Sequence, residues 1–391
     1  MVGDVLLYAD TERSAALRHE IPLAIGDPFL FAEVGGRAAV LTSVLERDRL
    51  AATRPDAEII GVEDVGFHEL LRSGRPRHEI MAEMVSRAVS RLGVREATVP
   101  DDFPVAMADR LRSDGVVLVV DPIAVEARRR VKSPSELEGI LLAQRAAEAG
   151  MAAAERLLAS ADVRDGELMA DGAPLTAEQV RDALRAACAQ AGAPAPPDVI
   201  VASVRQGFGH EPGSGPLPAG LPIQVDLWPR EERTGCWADM TRTFVVGDVG
   251  EAVLGQEQLV RAALEEVRAR VRPGVTGREL HGLVCDRFEA AGYRTQRTGP
   301  GEDPVEGFQF SLGHGVGLEV HEAPGLGMLG TEPFVAGDVL AVEPGLWDRT
   351  IGGVRYEDLL LVTADGCETL TRYPYDLRPR PGATPDAGPG A

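Results

Sequence analysis

The sequence predicts an α/β domain followed by a larger α+β domain made of two similar helix–helix–strand halves. Three observations carry that expectation. Short apolar runs alternate with helical spacings up to about residue 125. A basic run, Arg128-Arg-Arg-Val-Lys132, then breaks the pattern just ahead of a capped helix. Beyond it the order helix, helix, strands occurs twice. The 391 residues leave room for two cores of ordinary size.

In the first domain, Pro28–Glu33, Ala38–Thr42 and Glu58–Val62 read as strands. Between Glu79 and Leu92 the apolar residues Ile80, Met81, Met84, Ala88 and Leu92 fall at helical spacing. A second helix is expected from Val105 to Arg112, with Gly115 ending it before the apolar run Val116–Val120. That run has the length of a buried strand and is too short for a membrane span. In the second domain Ser133 or Ser135 can cap a helix that runs through the alanine-rich stretch to about Ala159. Further helices are expected over 176–191, 255–271 and 277–291, with strands after each pair. From Arg378 the chain reads RPRPGATPDAGPGA, rich in Pro and Gly without an apolar period, and is expected to be disordered.

Composition narrows the function. Apolar residues make up 44% and charged residues 26%, the profile of a soluble globular protein. A formal net charge of −21, with Lys132 the only lysine, argues against nucleic acid or an anionic membrane as partner. The first residues, MVGDVLLYAD, lack a basic n-region and carry Asp4, a poor signal peptide. Four cysteines without CxxC spacing suit reduced thiols in a cytoplasm.

Chemistry concentrates in a few strand-like stretches. Leu221–Trp228 and Cys236–Val246 are apolar strands joined by a polar turn, and each carries one aspartate, Asp226 and Asp239, among residues suited to burial. Either aspartate alone would ordinarily face solvent at a strand end or be held by Arg242. Glu343 ends the apolar strand Val339–Val342. Glu357 opens another, two positions after Arg355 and on its face, so that a buried Glu–Arg pair would explain it alone. His314 and His321 lie seven residues apart in GFQFSLGHGVGLEVHEAP, and the glycines beside His314 permit close backbone approach. A buried carboxylate needs a cation or a donor. Four acids with one imidazole bring four negative charges, which two divalent cations would balance. Such a mixed O/N set suits Mn²⁺, Co²⁺, Fe²⁺ or Zn²⁺.

The stretches VDLW, GCWADMTRTF, SLGHGVGLEVHEAP, VEPGLW and GVRYEDLLLV resemble the signature segments of the pita-bread metallopeptidases. Within that family the Xaa-Pro aminopeptidase, prolidase and creatinase branch is the nearest, because its members also carry a small α/β domain ahead of the catalytic one. The resemblance runs from RRVKSPSELEGI to CETLTRYP. It implies a creatinase-like N-terminal domain over 1–127 and a pita-bread catalytic domain over 128–377, which leaves the Pro/Gly-rich tail over 378–391 outside both. It further implies that Asp226 binds one metal ion, that His314 and Glu343 bind a second, and that Asp239 and Glu357 bridge the two. Manganese is the first expectation, with cobalt, zinc or iron as alternatives. His321 would contact the scissile peptide, and Glu343 would take a proton from water and pass it to the leaving amine. His210, in RQGFGHEPGSG, would match the family histidine ahead of the first aspartate, although by itself it reads as an exposed loop residue. His210, His321, Phe310 and Arg355 form the expected substrate-binding set.

Two departures from the family pattern stand out. Asp226 and Asp239 are 13 residues apart, two more than usual, which lengthens the hairpin turn. Phe310 occupies the position of a further histidine four residues before the metal histidine, which alters the proline-handling side of the pocket. The resemblance implies a homodimer that hydrolyses a peptide bond near the N-terminus of a peptide, of Xaa-Pro type, and the cysteines place it in the cytoplasm. A hydrolase of a non-proline peptide or another small amide, a metal-independent creatinase-like enzyme and a non-catalytic binding protein are the rival readings. The last two lose ligands, and here all five are present.

Overall fold

The structure is a computed structural model that describes residues 3–207 and 209–384. It separates into two compact units, one up to Arg129 and one from Arg130 onward.

The first unit is built on strands β1 (Val5–Ala9), β2 (Phe29–Val34), β3 (Arg37–Thr42), β4 (Glu58–Gly61), β5 (Glu96–Val99) and β6 (Val117–Val120). They form one sheet in the order β4-β3-β2-β1-β5-β6. Its helices are α1 (Ala15–Glu20), α2 (Arg47–Thr53), α3 (Phe67–Arg72), α4 (Arg77–Leu92), α5 (Val105–Ser113) and α6 (Pro122–Ala127). Consecutive residues feed opposite cores: Leu6 and Leu30 join Met84 and Leu111 on one face, while Leu7 and Phe31 join Leu17 and Leu50 on the other. With both faces covered, the inner strands read as unbroken apolar runs. The run Val116–Val120 departs from its expected burial. It forms β6 at the edge of the sheet, where Val117 is 54% exposed and Val120 53%. An edge strand has a neighbour on one side only, so apolar content alone does not bury it.

The second unit begins with α7 (Pro134–Ala159). Ser133 Oγ accepts from Glu136 N–H, and the Glu136 carboxylate returns the contact to Ser133 N–H at 2.7 Å. A small sheet of β7 (Asp162–Arg164), β8 (Glu167–Ala170) and β9 (Ala173–Pro174) follows, then α8 (Ala177–Gln190). The first half closes with β10 (Ile200–Ser203), β11 (Ile223–Leu227) and β12 (Met240–Phe244), an antiparallel sheet in that order. The second half repeats the plan with α9 (Glu251–Arg268) and α10 (Gly277–Ala290), then β13 (Gly313–Gly315), β14 (Val339–Val342), β15 (Gly345–Asp348), β16 (Gly352–Arg355), β17 (Asp358–Val362) and β18 (Cys367–Thr369). Strands β13-β14-β17-β18 form one sheet, and β15 pairs with β16 as a separate ribbon. Val260, Leu264, Val284, Phe288, Phe308, Leu340 and Leu360 pack together beneath these strands. No helix among the described residues is long and apolar enough to cross a membrane.

The tail expected to be disordered from Arg378 is held as far as Thr384. Arg380 grips the buried carboxylate of Glu155 at 2.9 and 3.1 Å, and the carbonyl of buried Ala383 accepts from Arg156 at 2.6 Å. An acid enclosed in α7 needs a cation, and the Pro/Gly-rich segment supplies one. Residues 385–391 lie outside the described residues.

Candidate active site

Register sets the aspartate ribbon. Asp226 stands opposite Thr241 and Leu227 opposite Met240, and the same register continues to Arg230 opposite Trp237. Trp228 and Asp239 therefore face each other, two steps from Asp226, and both aspartates point to one side of the ribbon. The longer interval is absorbed in the turn from Glu231 to Cys236, where the Glu231 carboxylate accepts from Arg233 N–H at 3.0 Å and Thr234 N–H at 2.7 Å. The turn grows and the aspartates keep their register.

The second sheet supplies the remaining groups by the same rule. His314 stands opposite Ala341, and Val342 opposite Asp358, so one further step sets Glu343 against Glu357. His314, Glu343 and Glu357 share a face. Gly313 and Gly315 flank the histidine because nothing larger fits: an added Cβ would lie 1.9 Å from the Ala341 carbonyl oxygen at one and 2.4 Å from that of Ala323 at the other. Two threonines of β12 dock the sheets together. Thr241 Oγ1 donates to Glu357 at 2.7 Å and its carbonyl accepts from Glu357 N–H at 3.1 Å, while Thr243 Oγ1 donates to the Arg355 carbonyl at 3.0 Å.

All five expected ligands thereby converge. Donor atoms of Asp226, Asp239 and Glu357 lie within 4.8 Å of one another, as do those of His314, Glu343 and Glu357, and those of Asp239, His314 and His321. His314 Nε2 is 3.7 Å from Asp239 and 3.7 Å from Glu343, while Nδ1 lies 3.1 Å from the Gly315 carbonyl. Because a carbonyl only accepts, Nδ1 carries the proton and the Nε2 lone pair faces the acids, the arrangement of a ligating imidazole. Burial first, then Glu357, Asp226 and Glu343, push the Asp239 carboxyl well above its ordinary range. Glu357 is raised in the same way by burial and then by Glu343 and Asp226. Burial also raises Glu343, against the pull of Arg355, and lowers His314. His321 is lowered by burial and then by His314, whose ring it meets edge-on at 4.1 Å.

This donor set fits divalent cations. Four crowded carboxylates face one imidazole lone pair, and Glu357 Oε1 is buried with no hydrogen-bond partner among the described residues. A hard or borderline ion accepts such a set of ligands.

The other expected residues fall in different places. Arg355, expected at the substrate, is turned to the acids instead. Its side chain is 7% exposed, and its guanidinium meets Asp226 and lies 3.3 Å from Glu343. Four neighbouring acids hold a buried cation more strongly than an open pocket does. Phe310 turns its ring against Phe308 at 5.0 Å and closely approaches Gly345, where an added Cβ would be 3.0 Å away. His210 is exposed, in the loop on the side of Glu343 and His321. Arg242 holds neither aspartate. It turns to the opposite face of β12, pairs with Asp358 at 2.9 Å and donates to the carbonyls of Glu357, Tyr373 and Pro374 under the ring of Tyr375. Sequence reasoning misses the roles of Thr241 and Arg242. Thr241 carries a signal, two positions after Asp239 on the same strand face; the partners of Arg242 carry none.

The paired sheets, each led by two helices and meeting at a buried acidic site, define the pita-bread fold of metallopeptidases. Residues 138–364 match the profile of metallopeptidase family M24, and the chain belongs to that family. An Xaa-Pro dipeptidase from Bacillus anthracis has a similar structure, with a TM-score of 0.75 at 24% identity over 96% of this chain and 95% of that one. An uncharacterized peptidase of Bacillus subtilis, YqhT, is 35% identical over 182 residues, 46% of this chain and 48% of that one. An Xaa-Pro dipeptidase of Pyrococcus horikoshii is 36% identical over 140 residues, 36% of this chain and 37% of its own. The chain thus matches half or less of the length of these two relatives.

Proposed function

We propose that the protein is a dinuclear-metal exopeptidase that cleaves a peptide bond near the N-terminus of its substrate, of Xaa-Pro aminopeptidase or dipeptidase type. The convergence of five ligand-type side chains within 4.8 Å groups carries this reading. Asp226, Asp239, His314, Glu343 and Glu357 would hold two ions, with Asp239 and Glu357 shared between them. Manganese is the first choice and cobalt, zinc or iron the alternatives. When bound, such ions supply Lewis acidity, making a water acidic enough to ionise near neutral pH and polarising an amide carbonyl.

The chain's own residues do the rest. Glu343, beside His314 and Arg355, takes the proton of the attacking water and delivers it to the departing amine nitrogen. His321, an exposed ring whose basicity is lowered by partial desolvation and by neighbouring His314, donates a hydrogen bond to the carbonyl oxygen as negative charge grows there. Arg355 aims Asp226 and Glu343. His210 and Phe310 border the space for substrate. The apolar ring of Phe310 can pack on a pyrrolidine but cannot donate to a substrate carboxylate, which favours peptides over free dipeptides. The unit up to Arg129 would be the creatinase-like N-terminal domain, and the enzyme a cytoplasmic homodimer.

Digestion of a peptide library by metal-free protein reconstituted separately with Mn²⁺, Co²⁺ or Zn²⁺ tests the proposal. Metal-dependent release of N-terminal residues ahead of proline is expected. Undiminished activity in protein that elemental analysis finds free of metal would sink it.

A further inference from the structure

One buried charge pair plays no part in this mechanism. Of the 40 lysine and arginine residues, Lys132 alone is lysine. Its ammonium meets the carboxylate of Glu322, 190 residues away, and both side chains are 2% exposed. Glu322 directly follows His321.

The surroundings show what the pair holds. Among the described residues no hydrogen bond fixes the His321 ring; its one ring contact is the edge of His314 at 4.1 Å. Its aim therefore depends on the backbone that carries it. Glu322 sets that backbone in three ways. Its N–H and C=O exchange 2.9 Å hydrogen bonds with Gly315, next to His314. Its Oε2 accepts from Glu319 N–H at 3.3 Å, closing a turn around His321. Its Oε1 is taken by Lys132, at the mouth of α7 beside the N-cap Ser133. The same loop reaches the aspartate ribbon, where Trp237 N–H donates to Gly317 C=O at 2.8 Å.

Stability is a weak reason for such a pair. Desolvating two charges offsets most of their attraction, whereas fixing a unique arrangement is the better-attested use of buried ion pairs. The choice of lysine agrees. An ammonium is a compact point charge, and a planar guanidinium in its place would have to displace close-packed neighbours. We propose that Lys132 is a positioning residue that, through Glu322, holds the 319–322 turn so that His321 meets the substrate carbonyl. The proposal rests on the reading of His321 as a substrate-facing group.

A double-mutant cycle in the full-length, Mn²⁺-loaded enzyme tests it, using an Xaa-Pro peptide that the wild type cleaves. His321→Ala is expected to lower kcat by roughly 10²-fold. Lys132→Met should lower kcat by about 10-fold, the size typical of residues that orient a functional group, with metal content unchanged and KM nearly so. On the His321→Ala background Lys132→Met should cost nothing further, because the group it positions is gone. An equal loss on both backgrounds, or wild-type kcat in Lys132→Met, would overturn the proposal. If Lys132→Met does not fold, the isosteric Glu322→Gln takes its place on both backgrounds under the same criterion. Full activity in His321→Ala alone would remove the reading of His321, an outcome distinct from an impaired His321→Ala beside an additive Lys132→Met.

Discussion

The two halves of the unit from Arg130 share a plan and differ in how they present their acids. Both reach their second helix through a threonine capping box, Thr176 with Gln179 and Thr276 with Glu279. In the first half Asp226 and Asp239 sit on one ribbon with unbroken register. In the second, His314, Glu343 and Glu357 come from or beside three strands with long connections between them. Hairpin register sets the geometry of the first half. The second half takes its geometry from contacts distant in sequence, and several are made by β12 of the first. Thr241, Arg242 and Thr243 all bond the backbone or side chains of Arg355, Glu357 and Asp358.

Asp239→Asn should produce the largest effect. If Asp239 is shared between two ions, the variant should bind both more weakly and lose at least about 10³-fold in kcat/KM, since Lewis-acid assistance is worth several kcal/mol. Elemental analysis alongside kinetics reads both quantities. Full metal content would break the idea that the first half's ligand serves both ions.

Arg242→Met tests the join between the halves. It leaves Asp358 buried without its cation, and removal of one partner from a buried pair costs about 3–5 kcal/mol. Urea unfolding measures the loss. A change under about 1 kcal/mol, the scale of an exposed pair, would mean that Arg242 does not hold the halves together.

The pH dependence of the metal-free protein comes next in size. Burial, then neighbouring acids, raise Asp239 and Glu357, and burial raises Glu343. As pH rises through the ordinary carboxylate range, these groups ionise first in the unfolded chain while the folded one keeps its protons. Stability should therefore fall from that range up to the raised folded values, by about 1.4 kcal/mol for each tenfold weakening of an acid on folding. Divalent cations replace the protons, so added Mn²⁺ should raise Tm more at pH 8 than at pH 5. Equal gains at the two pH values would contradict the crowding of the four acids.

Phe310→His should have the smallest effect, changing one wall of the proposed pocket and leaving the proposed ligands of either half in place. It should raise the ratio of kcat/KM for Xaa-Pro over Xaa-Ala dipeptides by up to about 10-fold, within the range that a single pocket contact supplies. An unchanged ratio would make Phe310 a packing residue against Phe308.

Legibility in the sequence follows the range of the interactions. Helix α7 is visible through Ser133 and its alanines, and the hairpin through its two apolar strands around a polar turn, because capping and alternation act within a few residues. The four acids of the candidate site are visible because a carboxylate within or at the end of an apolar strand violates a local pattern. What stays hidden depends on partners far along the chain: Arg242 with Pro374, Lys132 with Glu322, and Arg380 with Glu155. In β6 the reverse holds, since apolar content does not tell an edge strand from a central one.

The network of Arg242 has a consequence for the order of synthesis. The aspartate ribbon is made first, and Glu357 follows Asp239 by 118 residues (357 minus 239). At about 5–20 residues per second that gap lasts roughly 6–24 s. Through that interval Asp239 lacks Glu357, and Arg242 lacks the Glu357 carbonyl and the Asp358 carboxylate that later hold it. Tyr373 and Pro374, whose carbonyls Arg242 grips, come later still, as does Leu377, whose carbonyl takes the N–H of Val245 at 2.7 Å. A nascent chain halted between residues 358 and 372 would carry all five proposed metal-ligand side chains without the strap that seats β12 against β17, and is expected to yield to proteases at that ribbon sooner than the finished protein does.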